Sequence, residues 1–238
     1  ENCRLIECDK LNPIFFHYIQ TKRPYVLLKY AMTADGKIAT STGESKWITG
    51  ETARTKVQQT RHQYSAIMVG VETVLTDNPM LNARIPNAKQ PVRIVCDSQL
   101  RTPLDCQLVQ TAKEYRTVIA TVCEDLQKIE QYRPLGVDVM VCKARNKRVD
   151  LDDLLQKLGE IQIDSLLIEG GSSLNFSALE SGVVNRVHCY IAPKLVGGKQ
   201  AKTPIGGEGI GGLSQAVKLK LISMEMVGED ILIDYEVE

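Results

Sequence analysis

The sequence is poor in aromatic residues, with one Trp, three Phe and eight Tyr among 238 residues. Its core must therefore be built from Val, Ile, Leu and Ala. It has no excess of charge either, because 29 Lys and Arg balance 29 Asp and Glu. That balance gives no electrostatic reason to expect nucleic acid or an acidic membrane as partner. Long apolar runs are missing: stretches such as Tyr25–Leu28 and Ala66–Val71 fall far short of the roughly 20 residues a bilayer span needs. No signal peptide is visible at the start. Seven cysteines occur without any C-x-x-C pair. Several, such as Cys96 and Cys142, sit inside apolar runs, which fits free, reduced thiols and a cytoplasmic setting.

Several catalytic signatures are also absent. His17, His62 and His188 are scattered, none in H-x-E, and no P-C-x-x-C exists. That excludes a zinc deaminase centre in this chain, and no metal is expected. There is no G-x-S-x-G elbow and no Walker loop. The chain begins with Glu1 rather than Met, so a fragment or a processed chain is expected.

What is present is an alternation of short β-rich runs with helical patterns. Strands are expected at Tyr25–Ala31, Ala66–Val69, Val92–Asp97, Thr117–Thr121, Val137–Cys142, Ser165–Glu169, Arg186–Ile191, Lys218–Met226 and Asp230–Val237. Helices are expected at Gly50–Tyr64, Glu72–Thr76, Glu124–Arg133, Asp150–Gly159 and Ser172–Gly182. Thr49 or Gly50, Asp150 and Ser172 are the expected caps at their starts, and Gly159 and Gly182 close two of them. Strands separated by single helices imply an α/β fold with a largely parallel sheet flanked by helices. Val227-Gly228-Glu229 joins the last two strands as a hairpin, so the sheet should be mixed, with an antiparallel edge. Glu1–Arg23 is more polar and reads as a linker with a short helix around Asn12–Ile19.

Four clusters could carry chemistry. Ala31-Met32-Thr33-Ala34-Asp35-Gly36 follows a strand, where ligands of parallel sheets bind, although a plain turn would look the same. Gly43–Gly50 holds the single Trp47 in a polar loop beside Ser45. It could stack on a flat ring or fill a surface groove. Val69–Pro79 opens a helix after a strand and carries Thr73 and Asp77, followed by Leu81 and Arg84. Helix starts attract anions, and Arg61 and Arg84 could supply two cations for a phosphate, or be solvated charges. The sharpest signal is Leu166-Leu167-Ile168-Glu169-Gly170-Gly171-Ser172-Ser173-Leu174. A strand ends in a carboxylate, and a Gly pair then leads into a helix whose first N–H groups carry partial positive charge. The G-x-G-x-x-G order and its distant acid are lacking, so a nucleotide-binding sheet of another family fits better.

Taken together, LKYAMTADGKIAT, TGESKWITG, RHQYSAIMVGVETVLTDNPMLNAR, PVRIVCDSQLRTP, SLLIEGGSSLNFSAL and HCYIAPKLVGG resemble the reductase domain of the bifunctional riboflavin-biosynthesis deaminase/reductase. The resemblance runs from about Pro24 to the end. The preceding CRLIECDKLNPIFFHYIQTKRP resembles the stretch that joins deaminase to reductase. The resemblance implies residues 1–23 as a connector from a missing zinc deaminase domain and residues 24–238 as the reductase domain. It implies a dihydrofolate-reductase-like fold and NADPH-dependent reduction of 5-amino-6-(5-phosphoribosylamino)uracil to its ribitylamino product. It also implies a homodimer.

The substrate side resembles Ser45, Arg61, Leu81, Arg84 and Glu169. The cofactor side resembles Ala31, Trp47, Thr73, Asp77, Ser98 and the turn Gly171, Ser172, Ser173, Leu174, Asn175, Phe176 and Ser177. Arg61 and Arg84 are expected on the 5′-phosphate, Glu169 on the pyrimidine or the sugar, and Asp35 or water as proton donor. Ser98 and Arg101 are expected to favour a 2′-phosphate, hence NADPH over NADH. Rival readings are a reductase of the same scaffold acting on the still-aminated pyrimidine or a pterin, and a non-catalytic nucleotide-binding module.

Overall fold

The computed structural model describes residues 12–238. Cys3, Cys8 and the first half of the expected connector lie outside the described residues. In chain order the strands are β1 (Tyr25–Thr33), β2 (Ala66–Gly70), β3 (Val92–Cys96), β4 (Thr117–Thr121), β5 (Val137–Val141), β6 (Ala144–Arg145), β7 (Arg148–Val149), β8 (Ser165–Ile168), β9 (Arg186–Ala192), β10 (Leu219–Val227) and β11 (Asp230–Val237). The helices are α1 (Pro13–Thr21), α2 (Glu51–Gln63), α3 (Val71–Asp77), α4 (Gln107–Gln110), α5 (Leu126–Glu130), α6 (Leu151–Glu160) and α7 (Ser172–Glu180).

Among the described residues, nine strands form one sheet in the order β10-β11-β9-β1-β8-β2-β3-β4-β5. Neighbours from β9 to β5 run parallel, and β11 pairs antiparallel with both β9 and β10. The mixed sheet expected from the sequence is therefore present. Alternation along each strand feeds two cores. Val26, Leu28, Ala66, Met68, Leu166 and Ile168 face α6 and α7. Leu27, Ile67, Val69 and Leu167 face the side of Val71, Val74, Leu108 and Val109. Central strands covered on both faces read as continuous apolar runs, as these do. Ala53 and Val57 of α2 pack on Tyr190 and Leu232, which covers the β9–β11 part.

Local chemistry explains the boundaries. Asp150 caps α6 by accepting from the Asp152 N–H at 3.0 Å. Gly50 precedes α2 without a side-chain cap. Two expectations are corrected. Ser172 lies inside α7, because Gly171 is the residue at its N-cap. Gly159 lies within α6 rather than at its cap, because the helix runs to Glu160 and Ile161 is its C-cap; a Cβ at Gly159 would sit 1.9 Å from the Lys22 carbonyl oxygen. The glycine permits close approach of the chain after α1, where the Tyr18 hydroxyl also donates to the Gly159 carbonyl at 3.0 Å. Gly228 takes φ +70° in the β10–β11 turn, which favours glycine. Burial pushes the Cys96 thiol up to about 12 and Cys142 to about 11, so both are held as thiols. No described helix is long and apolar enough to cross a membrane.

Candidate active site and cofactor cleft

After β1 the chain crosses beyond the later-formed β8 to β2, and it returns through β8 between them. The carboxyl ends of β1, β8, β2 and β3 thus share one rim around a change in strand order, where open α/β sheets bind ligands. β1 ends near Ala31 and Thr33, β8 runs into Glu169 and Gly170, β2 ends at Gly70, and β3 is followed by Ser98. The Gly70 N–H donates to the Gly170 carbonyl at 3.0 Å, and the Glu169 N–H to the Met68 carbonyl at 3.0 Å. These bonds fix the end of β8 against β2.

One flank of this rim holds charge. Arg61, in the last turn of α2, donates through Nε and Nη2 to the two Glu169 carboxylate oxygens, each at 2.8 Å. Its Nη1 donates to the Asn82 carbonyl at 3.0 Å. Their side chains are only 12% and 9% exposed, respectively. Burial alone would push the Glu169 carboxyl up, but Arg61 outweighs it, with Lys29 and Arg84 adding to the effect. Together they hold it at about 2. Leu81, buried and at φ +53°, sits in the loop that carries Asn82. The Arg84 N–H donates to Gln58 Oε1 at 2.9 Å. Among the described residues the Arg84 guanidinium has no hydrogen bond or ion pair, and it is exposed. Of the two arginines expected on the phosphate, Arg61 donates to Glu169 and Asn82, and the Arg84 head has no partner among the described residues.

Lys29 is a site residue that the sequence reading missed. It lies on β1 beside Glu169, its Nζ 5.5 Å from the centre of the Tyr190 ring. Burial lowers its pKa, partly offset by Glu169. The available signal was a lysine interrupting the apolar run Val26-Leu27-Leu28, two residues before Ala31.

The other flank is an open cleft of about 810 Å³, lined by Ser45, Thr73, Asp77, Ser98 and residues of the Gly171–Ser177 turn. Within that turn Gly171, Ser172, Ser173, Leu174 and Ser177 reach the cleft. Asn175 and Phe176 instead hold the neighbouring loop. Asn175 Nδ2 donates to the Pro204 carbonyl at 2.9 Å, and Phe176 fills the space beside Gly207. A dinucleotide fits this cleft. Its volume suits a ligand of that size. The start of α7 has no side-chain cap, so its first N–H groups are available to an anion. Gly171 brings bare backbone to the lining, where a Cβ would lie 3.4 Å from Thr73 Oγ1.

Trp47 is 60% exposed, with the Arg54 guanidinium 4.6 Å from its ring centre and Lys194 Nζ donating to its carbonyl at 2.9 Å. Ala31 pairs with Tyr190 across β1 and β9. Asp35 has a different character from that expected of a proton donor. It accepts from Thr33 Oγ1 at 2.6 Å and from the Gly197 N–H at 2.6 Å, as well as from the Val196 N–H. The Thr33 bond and then the Gly197 bond hold its pKa near 2. An acid working at neutral pH needs the opposite shift. Its carboxylate is a clasp between two loops.

A mixed, mostly parallel sheet with a nucleotide-sized cleft and an adjoining charged rim is an α/β architecture of the dihydrofolate-reductase-like fold. The chain belongs to the RibD C-terminal domain family, which it matches over residues 24–233. It is 87% identical over 231 residues to the riboflavin biosynthesis protein RibD of Actinobacillus pleuropneumoniae, covering 97% of this chain and 61% of the relative. It is 42% identical to the 2,5-diamino-6-ribosylamino-4(3H)-pyrimidinone 5′-phosphate reductase of Methanothermobacter thermautotrophicus, covering 91% of this chain and 99% of that protein. The solved deaminase/reductase of Thermotoga maritima superposes with a TM-score of 0.84 at 31% identity, covering 98% of this chain and 62% of that one. The chain thus spans about three-fifths of its longer relatives.

Proposed function

We propose that the chain is the reductase part of a bifunctional riboflavin-biosynthesis enzyme. It reduces the ribosyl group of 5-amino-6-(5-phosphoribosylamino)uracil to the ribitylamino product, with NADPH as reductant. The observation that carries the reading is the union of a nucleotide-sized cleft with a buried Arg61–Glu169 pair and a free Arg84 on one rim. Family membership supports it. The ribosylamino carbon stands at the oxidation level of an aldehyde, and its ring opens, with the sugar oxygen protonated, to an iminium that accepts hydride. NADPH supplies the two electrons as hydride from C4 of its nicotinamide.

The chain's own residues bind and orient. Arg84 takes the 5′-phosphate. Glu169, held ionised, accepts hydrogen bonds from the pyrimidine or the sugar hydroxyls, and Arg61 fixes its direction. Lys29 places a further N–H donor on the same rim. The α7 start receives the pyrophosphate, and Trp47 and Ala31 flank the nicotinamide end. The proton for the departing sugar oxygen comes from water ordered at this rim, because Asp35 is held ionised.

The test is loss of nicotinamide absorbance with the deaminated pyrimidine phosphate, compared with its aminated precursor. Preferential turnover of the deaminated compound is expected. Preference for the aminated compound would transfer the chain to the activity named for its methanogen relative. Turnover of neither would leave a binding module.

The reading extends to a cytoplasmic protein that continues toward a zinc deaminase domain, with residues 12–23 as the tail of the connector. It also extends to a homodimer formed over β10, where Leu221, Met224 and Met226 are exposed on an edge strand. Sedimentation at micromolar concentration should give twice the monomer mass.

A further inference from the structure

The part of the cleft away from Glu169 is bounded by a feature that the sequence reading missed. β6 and β7 form a small antiparallel hairpin, with Ala144 paired to Val149 and Arg145 to Arg148. Its two turn residues, Asn146 and Lys147, have φ +51° and +63°, as a tight two-residue hairpin requires. The base is fixed. Val149 is buried in the main core, and its N–H donates to Ser98 Oγ at 3.1 Å.

The segment carries four cations, and they divide by position. Lys143 pairs with Asp153 at 3.6 Å. Arg145 approaches Asp150 at 3.4 Å and Asp152 at 3.7 Å. These two are neutralised by acids at the start of α6. Lys147 and Arg148 have no acidic partner among the described residues, and both line the cleft with Ser98 and Ser177. Arg148 Nη1 reaches to within 3.4 Å of Ser177 Oγ on α7, so the hairpin faces α7 across the cleft. Arg101, the residue expected to prefer a 2′-phosphate, donates instead to Glu72 at 2.6 Å. A carboxylate beside it makes that spot unfavourable for a dianion.

The geometry points to the β6–β7 hairpin as the site that selects the phosphorylated cofactor: Lys147, Arg148 and the Ser98 hydroxyl form a clamp for the 2′-phosphate of the adenosine ribose. Ser98 Oγ already accepts from Val149, and its own proton remains to donate. An arginine and a lysine together match a phosphate with a planar fork and a point charge. The selection is electrostatic, set on a hairpin whose backbone is anchored at both ends. This inference rests on the proposed reductase reading for the nature of the cofactor.

The test uses the folded chain and two probes, 2′,5′-ADP and 5′-AMP, by titration calorimetry. The unaltered protein should bind 2′,5′-ADP at least about tenfold more tightly, the factor expected for one charge-assisted contact. In the Lys147→Gln/Arg148→Gln double variant the two should bind alike, while Arg101→Gln should leave most of the discrimination. The preference for NADPH over NADH in kcat/KM should fall by the same factor in the double variant. Equal binding of the two probes by the unaltered protein, or undiminished discrimination in the double variant, overturns the clamp. Failure of the reductase reading looks different: no pyrimidine turnover with either nicotinamide, with probe discrimination still intact.

Discussion

Two arginine–carboxylate pairs in this molecule have the same chemistry and different consequences. Arg61 and Glu169 meet at the carboxyl end of β8. Arg186, the first residue of β9, reaches diagonally across to Asp234 of β11, two positions from its own register partner Glu236. In both, Nε and one Nη of the guanidinium donate to the two carboxylate oxygens. The second pair has other protein groups around it: Tyr25 lies near, and His188 Nε2 is 3.5 Å from Asp234 Oδ1. The first adjoins an open rim with Lys29 and Arg84 close by. Position along the strand decides what a pair does. At the amino end of β9 it staples two neighbouring strands, whereas beyond the carboxyl end of β8, on the rim where parallel sheets bind ligands, it presents a fixed carboxylate to a ligand.

Removing one partner of each pair breaks this comparison most forcefully. Glu169→Gln should lower kcat/KM by roughly a hundredfold, the loss expected of a charged hydrogen-bond acceptor at the upper end of its range. Truncation to Glu169→Ala should also destabilise the fold by about 3–5 kcal/mol, because it leaves Arg61 buried and unpaired. Asp234→Ala should cost stability but less of it, since the Arg186 side chain is 30% exposed and can turn to water. Turnover of the folded Asp234→Ala protein should stay near that of the parent. Urea unfolding and steady-state kinetics on both variants check this. Equal loss of turnover, measured where both are folded, would mean that the β9–β11 pair also serves the site.

Arg84 offers a smaller but more selective effect. Its guanidinium is free among the described residues, so its removal leaves no buried charge behind. Arg84→Ala should raise the KM for the phosphorylated pyrimidine about ten- to a hundredfold, from the loss of one charge-assisted contact. The dephosphorylated pyrimidine should respond little, and NADPH binding should not change. If NADPH binding is lost instead, Arg84 faces the cofactor and the division of the rim is wrong.

The acid limb of stability tests the Arg61–Glu169 pair further. Glu169 is held at about 2, against an ordinary value of 4.5. A depressed carboxylate contributes stability above the unfolded value and loses it as the pH falls toward the folded one. The free energy of unfolding should therefore drop between pH 4.5 and pH 2 in the parent. Glu169→Gln removes that titration, so its stability should fall less steeply over this window. Parallel pH dependence in the two proteins would show that Glu169 does not carry the effect.

Much of the sheet is legible in the sequence because buried parallel strands are continuous apolar runs bounded by turn residues. Thr117–Thr121 and Asp230–Val237 are found with the expected bounds, and Gly228 turns between β10 and β11. The β6–β7 hairpin was not legible. Its strands are two residues long and its turn, Asn146-Lys147, contains no glycine. The expected helix Glu124–Arg133 is shorter, Leu126–Glu130, followed by a 3₁₀ turn over Arg133–Leu135 that contains Pro134. The candidate site was legible as a set of residues, not as a set of bonds. Arg61 and Glu169 are 108 positions apart, and nothing local to either says that one neutralises the other. Lys29 was hidden for the same reason, since its significance comes from a neighbouring strand.

Asp35 provides the finest test of the comparison, because its carboxylate, like that of Glu169, is held near 2 and no arginine holds it. Its low value comes from the Thr33 hydroxyl and the N–H groups of Gly197 and Val196. It is exposed, and those bonds tie the turn after β1 to the 194–197 loop. A carboxylate stabilised by donors from its own loops acts on loop geometry, whereas an acid catalyst would need to carry a proton at neutral pH. Asp35→Asn keeps an oxygen that accepts from Thr33 and one of the loop N–H groups while removing the charge. It should change kcat by less than about threefold, as expected of a surface substitution away from the reacting atoms. The shape of the pH–rate profile should be retained. Glu169→Gln, by contrast, should lose turnover across the whole profile. A loss of the basic limb confined to Asp35→Asn would restore Asp35 as the proton donor and would make the clasp incidental to its role.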